Sequence, residues 1–530
     1  MRPPVIALPM LCALLGCTDA GSDTDTGLGS ESDSVSGSDP VSGSGSESGS
    51  ESGSESGSGS GSGSESGSEA RARAEELDRE FPLHGLVTGV QLSVRKQPDP
   101  DAEVLGWLRM GARVRLKPEP VKTRTCATGW HAVHPQGWAC AGVGIEIGEA
   151  PPESPLAVVP PARDAALPYR YYFVKETKVP EWHRLPSRDE QRVAQEFIER
   201  YLELADKSEE RAGKLLRGEL EGEVQGTKVV RRYLDRGFFV AGVAIEERRE
   251  RKFVRTVRGS YVQLAQLQER HGSDFRGVEL GDEQQLPVAW TVRTARPFTV
   301  RMRDDGSVAM IADPDEAPIE RQTILPWAGR ERVGTRMLHK LQDGRYLKHW
   351  FVAVAEKIAR PKGVGEDEPW VHVDLEQQTL VLYTGDRPVY ATLVSSGLDG
   401  HDTPRGLFDI RLKYVANGMA DLGPDAGDDR YSIDDVPWTQ YFDGSIALHG
   451  AFWHERFGLQ RSHGCVNLAP RDAHRVFEHT WPALPAGWHG IVPEQAGVPA
   501  SKVLVTGPDP ATQADGEGEG EGSVGDDEKE

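Results

Sequence analysis

The sequence predicts a mainly β, multidomain protein, and three observations carry that prediction. Short apolar runs separated by turn residues fill Leu83 to Ile147, strand-like alternation resumes at Trp370, and a helical period stands out only near residues 187–204. The first pattern is that of a small barrel of strands, the last that of a meander's opening, and residues 165–350 read as a mixed α+β domain. At about 150 residues per domain, residues 70–508 suffice for roughly three domains.

Charge narrows the function classes. The formal net charge is -22, but residues 18–69 hold 11 acidic side chains and no basic one, and residues 509–530 hold 9 acidic and 1 basic. Taking away the 11 charges of the first tail, the net 8 of the second and the positive charge of Arg2 leaves -4 for residues 70–508. A nearly balanced body lacks the basic surplus of a nucleic-acid binder, so no nucleic-acid partner is expected.

Residues 1–17 read as a signal peptide: Arg2, a short apolar stretch from Val5 to Gly16, then Cys17. The stretch is too short to span a bilayer. Leu14-Leu15-Gly16-Cys17 resembles a bacterial lipobox, which implies lipidation of Cys17 and a lipoprotein held at the periplasmic face of a bacterial membrane. The alternative is an ordinary signal peptide with a chance cysteine. Export also governs the remaining thiols, because an oxidising compartment pairs those that lie close. Cys12 leaves with the signal, and Cys126 and Cys140, 14 positions apart, are expected to form a disulfide. Closing that loop stabilises the segment by about 3 kcal/mol on the chain-entropy account. Cys465 is left without a partner.

Of the 52 positions from 18 to 69, 44 are Ser, Gly or acidic, too polar to offset chain entropy, so this segment is expected to be a disordered tether. As a coil it would span about 40 Å. The acidic residues 509–530 read as a solvated tail. Within residues 83–147, Leu92-Ser93-Val94-Arg95 with Pro98, Val104-Leu105-Gly106, Gly111 with Val114, Gly129-Trp130 with Val133, and Gly137-Trp138 resemble a bacterial SH3-like domain. The resemblance implies a wall- or peptide-binding accessory, and a purely structural spacer fits the same residues. Pro151-Pro152 through Pro160-Pro161 reads as a semi-rigid spacer. Ser187 with Glu190 forms the pattern of a capping box, opening a helix with Val193, Phe197, Ile198, Tyr201 and Leu204 on one face. Val288, Trp290 and Val292 mark a strand. Neither an internal repeat nor a second membrane-length apolar stretch is evident.

From Trp370 the chain alternates again, with Val371, Val373 and Leu375, then Leu380 to Tyr383, a turn at Gly385-Asp386, and Val389 to Val394 returning antiparallel. Thr403-Pro404-Arg405-Gly406-Leu407-Phe408 follows, and later SIALHGAFWHERFGLQRSHGCVNL. A free thiol is only a few per cent thiolate at neutral pH, so a cysteine nucleophile needs an imidazole as base or counter-ion. His449, at the end of a predicted strand from Ser445 to Leu448, can be brought to Cys465 by strand pairing. His463, two positions away, shares its face if the segment is extended. Gly464 lets a carbonyl approach the main chain, whose N–H groups near Gly464 and Cys465 would then stabilise an oxyanion.

His449-Gly450 followed by Ser462-His463-Gly464-Cys465-Val466-Asn467 resembles the signature of the L,D-transpeptidase catalytic domain, the YkuD-type fold, over residues 369–493. The Thr403 to Phe408 element resembles the same family's upstream motif. The resemblance implies a β-sandwich with the cysteine at the edge of a cleft, Cys465 as nucleophile, and His449 as base or accessory histidine. It implies that His463, Ser462 and Asn467 shape the site or assist the thiol, with the Gly450 carbonyl available to orient a ring. The implied chemistry is acyl transfer on peptidoglycan stem peptides through a thioester, without metal or cofactor and open to carbapenem acylation. Transfer to an amine gives a 3-to-3 cross-link or another conjugate, and transfer to water gives L,D-carboxypeptidase activity. Other readings of the residues are a zinc site on His449, His454, His463 and Cys465, which lacks HExxH or paired-cysteine spacing, an inert core thiol, and a catalytically silent wall-binding lipoprotein. His454 is either cleft-lining or structural, and His474, His479 and His489 read as surface or structural positions.

Overall fold

The computed structural model describes residues 67–142, 144–153, 159–305, 307–422 and 430–508. Cys17 with the leader, the tether as far as residue 66, and the acidic tail from residue 509 lie outside the described residues. The last three tether positions do not continue the expected coil, because a helix spans Gly67–Glu80. From Ala70 onward it is built almost wholly from Ala, Arg, Glu and Leu, all strong helix formers. It runs into Phe81, which is buried and whose carbonyl accepts a 2.9 Å hydrogen bond from Arg115.

Strands make up 42% of the described residues and helices 13%, so the mainly β expectation holds. Pro369–Asp374, Thr379–Thr384 and Arg387–Leu393 form an antiparallel meander. Lys502–Thr506 adds parallel to its first strand, and Gly406–Asp409 pairs with that added strand. A second sheet contains Leu412–Asp421, Tyr431–Asp443, Ile446–Gly450 and Val466–Leu468. Between the sheets Val371, Val373, Leu380 and Leu382 meet Val415, Leu448, Val466 and Leu468, with Val476 and Phe477 of the helix Pro470–His479 closing the core. Each fully buried aliphatic side chain contributes about 1.5–3 kcal/mol, so this sandwich is a stiff platform for what it carries.

The meander is buried on its other face as well. Trp370, Val381, Tyr383 and Leu393 pack there against Val288, Trp290, Ala353 and Ala355. The strand Val288–Thr291 is therefore covered on both sides, its Ala289 entering a third core with Leu325, Leu341 and Leu347. Among the described residues of the stretch 165–350, α-helix is confined to Arg188–Ala205 and Glu209–Leu216. The first opens with both capping-box bonds, Ser187 Oγ accepting from Glu190 N–H and the Glu190 carboxylate accepting from Ser187 N–H.

The remainder of that stretch is β and carries an arrangement that the sequence conceals. Strand Arg251–Thr256, Gly259, the short strand Tyr261–Gln263, a 3₁₀ turn Leu264–Gln266 and strand Leu267–Arg270 are followed later by the same order. Its second copy runs through Arg336–Leu341, Gly344, Tyr346–Lys348, His349–Phe351 and Val352–Ala355. From Gly259 and Gly344 onward only the glycine and the tyrosine two positions later are identical in the ten-residue stretches. Apolar residues of different shape, Val262 and Leu347, fill equivalent buried positions, so identity decays while the arrangement survives.

Residues 83–147 fold into eight short strands, with Cys126 and Cys140 joined by a disulfide across the paired strands Cys126–Ala132 and Trp138–Cys140. Strand Val104–Arg109 also pairs with Trp488–Ile491. Glycine is required at the crossing, since a Cβ on Gly106 would lie 2.3 Å from the Gly490 carbonyl oxygen. Two aspartates of the strand Tyr431–Asp443 fasten the upstream segments to the sandwich. Asp435 is buried and 2.5 Å from the buried Arg109 guanidinium, and its main-chain carbonyl accepts from the Tyr171 hydroxyl at 2.6 Å. Asp434 meets Arg232 at 3.0 Å and Arg258 at 3.3 Å, and Arg232 also binds the buried Glu181. Burial raises the Asp435 carboxyl pKa and the Arg109 charge opposes that rise.

Removing one partner of such a pair strands a buried charge, whereas replacing both removes the problem. Asp435→Ala should therefore lower stability by about 3–5 kcal/mol, and Arg109→Met combined with Asp435→Leu by much less. Urea unfolding of the single and double variants checks this.

Candidate active site

Cys465 immediately precedes the strand Val466–Leu468, which lies parallel to Ile446–Gly450 with Leu448 opposite Val466 and His449 opposite Asn467. Because Leu448 and Val466 both point into the core, their neighbours point the other way. Ala447, His449 and Asn467 therefore share one face, and Cys465, in the bend just before the strand, sets its thiol against the Ser445 carbonyl and the Ala447 N–H.

The His449 ring is buried, and its Nδ1 lies 3.3 Å from the Gly450 carbonyl oxygen. A carbonyl only accepts, so Nδ1 carries the proton and Nε2 keeps its lone pair. Burial pushes the His449 pKa down to about 4, with the Gly450 bond opposing, so the ring is neutral at pH 7. Cys465 is half-buried as a residue, yet protein surrounds its thiol closely enough to raise its pKa to about 11, the Ala447 N–H opposing that rise. The thiol makes a weak 3.7 Å contact with the Ser445 carbonyl. The resting pair is thus a neutral thiol and a neutral imidazole with one free nitrogen.

His463 does not occupy the position expected of a second base. The segment 463–465 bends, with Gly464 at φ +106°, so the rule that residues two apart share a face does not apply. The His463 ring is exposed and packs on His401, 4.6 Å between centroids, and on Tyr431, 5.8 Å away. The Gly464 N–H is also not free to receive an oxyanion, because it donates to Ser462 Oγ at 3.2 Å. Ser462 Oγ in turn donates to the Cys465 carbonyl, so this serine closes the loop on itself instead of touching the thiol. At Gly464 the left-handed φ favours glycine, and a Cβ would lie 2.7 Å from Ile446 Cδ1.

Thr403 supplies the other clamp. Its buried hydroxyl accepts from Gly397 N–H at 3.0 Å and donates to the Gly464 carbonyl at 2.8 Å. The segment Ser395–Leu398 flanks the strand Val466–Leu468, Ser395 exchanging two 2.9 Å main-chain bonds with Asn467. Gln378 ties that segment to the meander through Ser396, donating to its hydroxyl at 2.7 Å and accepting from its N–H at 2.9 Å. The Asn467 side-chain amide lies 3.0 Å from His454 Nε2 in a buried contact. His454 Nδ1 accepts from Arg456 N–H at 3.3 Å, and burial lowers the His454 pKa to about 3. His454 is therefore a neutral support for Asn467, which lies opposite His449 across the two strands.

The sequence placed no role on Thr403, Gln378, His401 or Tyr431. The phenol of Tyr431 has its pKa raised by burial and by the nearby Cys465 sulfur. Thr403 stood in a recognisable motif, whereas Tyr431 lies 34 positions before the cysteine with no local signal. His474, His479 and His489 each contact a main-chain carbonyl, of Arg163, Tyr383 and Ala416 respectively, and serve packing. Among the described residues no group of three His, Cys, Asp or Glu could hold a metal ion, and no helix is long and apolar enough to cross a membrane.

Residues 368–486 match the family model of YkuD, the L,D-transpeptidase catalytic domain. No curated protein matches the chain. Among solved structures, the chain is similar to an L,D-transpeptidase from Stackebrandtia nassauensis, at 25% identity over 28% of this chain and 59% of that one, with a TM-score of 0.20. An L,D-transpeptidase from Xylanimonas cellulosilytica shows 22% identity over 28% of this chain and 64% of that one, with a TM-score of 0.19. One from Enterococcus faecium shows 17% identity over 37% and 72%, with a TM-score of 0.21. The chain thus spans about three fifths of the first two. With TM-scores this low, the family match carries the assignment: residues 368–486 form an L,D-transpeptidase catalytic domain of the YkuD family.

Proposed function

We propose that the protein is a cysteine-dependent L,D-transpeptidase that acts on peptidoglycan stem peptides through a thioester on Cys465. The observation that supports this most strongly is the parallel register that sets Cys465 at the head of the strand beside Ile446–Gly450, with His449 Nδ1 held by the Gly450 carbonyl and Nε2 left to accept a proton. Cys465 Sγ attacks the carbonyl of the L-centre residue before the terminal D-alanine while its proton passes to His449 Nε2. The tetrahedral intermediate collapses, the C–N bond breaks, and His449 returns the proton to the departing D-alanine amine. An acceptor amine then attacks the thioester and gives its proton to His449, the C–S bond breaks, and the departing Cys465 thiolate takes that proton from His449, restoring the neutral pair. A diaminopimelate amine makes a 3-to-3 cross-link, and water makes an L,D-carboxypeptidase product. Export and attachment of the enzyme through lipid on Cys17 belong to this proposal and rest on the leader sequence.

A neutral resting pair means that deprotonation accompanies attack and does not precede it. Against the silent wall-binding reading stands the retained set of a free thiol at Cys465, an imidazole at His449 and the Gly450 carbonyl that meets its Nδ1.

Purified protein incubated with disaccharide tetrapeptides should release D-alanine, and Cys465→Ala should release none. Equal release by both would remove Cys465 from the mechanism, and none from either would favour the silent binder. His449→Gln should lower the rate by about 10²–10⁴-fold, the range for loss of a positioned general base. A raised thiol pKa leaves little thiolate at pH 7, so alkylation of Cys465 by iodoacetamide should be slow there and accelerate as pH rises toward 11. An apparent pKa below 7 would instead reveal a preformed ion pair. Thr403→Val, which loses both hydroxyl bonds, should slow acylation by roughly tenfold or more, since each buried bond contributes about 0.5–1.5 kcal/mol. Thr403→Ser should retain most of the rate.

A further inference from the structure

The His449 ring has a weak hold of its own. Its 3.3 Å contact with the Gly450 carbonyl lies past the usual N–H···O range of about 2.7–3.2 Å, so that bond restrains the ring only loosely. The ring's neighbour is Trp453, 5.7 Å away between centroids and inclined by 30°. Trp453 is itself only half-buried, and its backing comes from outside the residues that match the family model. Phe239, the first residue of the strand Phe239–Arg248, lies 6.4 Å from the Trp453 ring and meets Phe452 edge-on at 5.4 Å. Phe452 meets Trp453 edge-on at 5.1 Å and stacks at 4.0 Å on Tyr171 of the paired strand Arg170–Val174. The same strands reach the thiol's side of the site. Tyr431 packs with Trp453 and Phe239 on one core, which Tyr171, Ala241 and Val257 share with Ala416, Ile433 and Phe452 of the catalytic domain. Phe239 also pairs with Ile433, two positions from Tyr431.

Resting on the reading of His449 as the base, we propose that Phe239 is a positioning residue of the catalytic site, acting on His449 through Trp453. Aromatic pairs favour edge-on or offset contacts, so each ring in this series restrains the tilt of the next as well as its place. Removing the Phe239 ring opens space beside Trp453, the indole settles into it, and the His449 face loses its cover. The free nitrogen of His449 must point at the thiol proton during attack, and a misplacement of about 1 Å costs on the order of 10²-fold in rate. The family-matched residues thus carry the reacting groups, while a strand that precedes them aims the base.

The test uses the full chain. Phe239→Ala should lower kcat for D-alanine release by roughly tenfold or more while KM moves by less than about twofold, and Phe239→Tyr, which keeps the ring, should restore most of kcat. Should Phe239→Ala fail to fold, Phe239→Leu takes its place, since it keeps apolar volume and loses the ring. Phe253→Leu is the control: Phe253 is buried in a separate core with Trp182 and Ala194, so this variant should lower the unfolding midpoint and leave kcat unchanged. A second readout needs no turnover. Diethylpyrocarbonate carbethoxylates the lone-pair nitrogen of a neutral imidazole, and its reaction with His449 at pH 7, mapped by mass spectrometry, should be severalfold faster in Phe239→Ala than in the parent and unchanged in Phe253→Leu. If the parent releases no D-alanine, the transpeptidase reading fails and the modification rates alone decide the positioning role. An unchanged kcat in Phe239→Ala, an equal loss in Phe253→Leu, no recovery in Phe239→Tyr, or modification of His449 at the parent's rate in folded Phe239→Ala would each overturn the proposal.

Discussion

Two short parallel strands, Ile446–Gly450 and Val466–Leu468, set everything that the site can do. Their register is fixed from below, because Leu448, Val466 and Leu468 are buried in the sandwich core and a one-residue slip would expose them. The same register places His449 and Asn467 on the opposite face and sets Cys465 at the head of the second strand. Packing energy in the core therefore specifies a chemical juxtaposition on the surface of that core. No side-chain hydrogen bond between thiol and imidazole is needed to hold the arrangement in the resting state.

What the strands do not fix, hydroxyls do. Ser462 closes the bend before Cys465, and Thr403 pins the Gly464 carbonyl from the side. The bend costs little because Gly464 takes the left-handed conformation without a Cβ to clash. Burial then keeps both reacting groups neutral, the thiol raised to about 11 and the imidazole lowered to about 4. Such a pair holds no charge that water or a stray cation could stabilise before substrate arrives.

The catalytic segment was the most legible part of the sequence, since strand alternation gave the meander and the histidine and cysteine motifs stood at its end. His449 was legible as a strand residue that pairing could deliver. His463 was misleading, because spacing of two implies a shared face only in extended chain, and Gly464 bends it. The double engagement of Ser462 and the position of Tyr431 could not be read at all, as both depend on tertiary closure. The repeated β arrangement escaped for a different reason: its two copies keep a glycine and a tyrosine and exchange nearly everything else. The upstream segments also looked separable, whereas the strand Val104–Arg109 pairs with Trp488–Ile491 and Asp434 and Asp435 bind three arginines of those segments.

The upstream β segments thus do more than lengthen the chain. They brace the strand that begins at Tyr431, beside the thiol, and one of them backs the Trp453 ring that faces His449. The central claim is the covalent one, and intact mass spectrometry of protein quenched in acid during turnover of a tetrapeptide tests it most directly. A species heavier by the acyl tripeptide, located on Cys465 and discharged by hydroxylamine as a thioester, is expected. A wild-type protein that turns over substrate without that species, or carries the acyl group on any other residue, would contradict it.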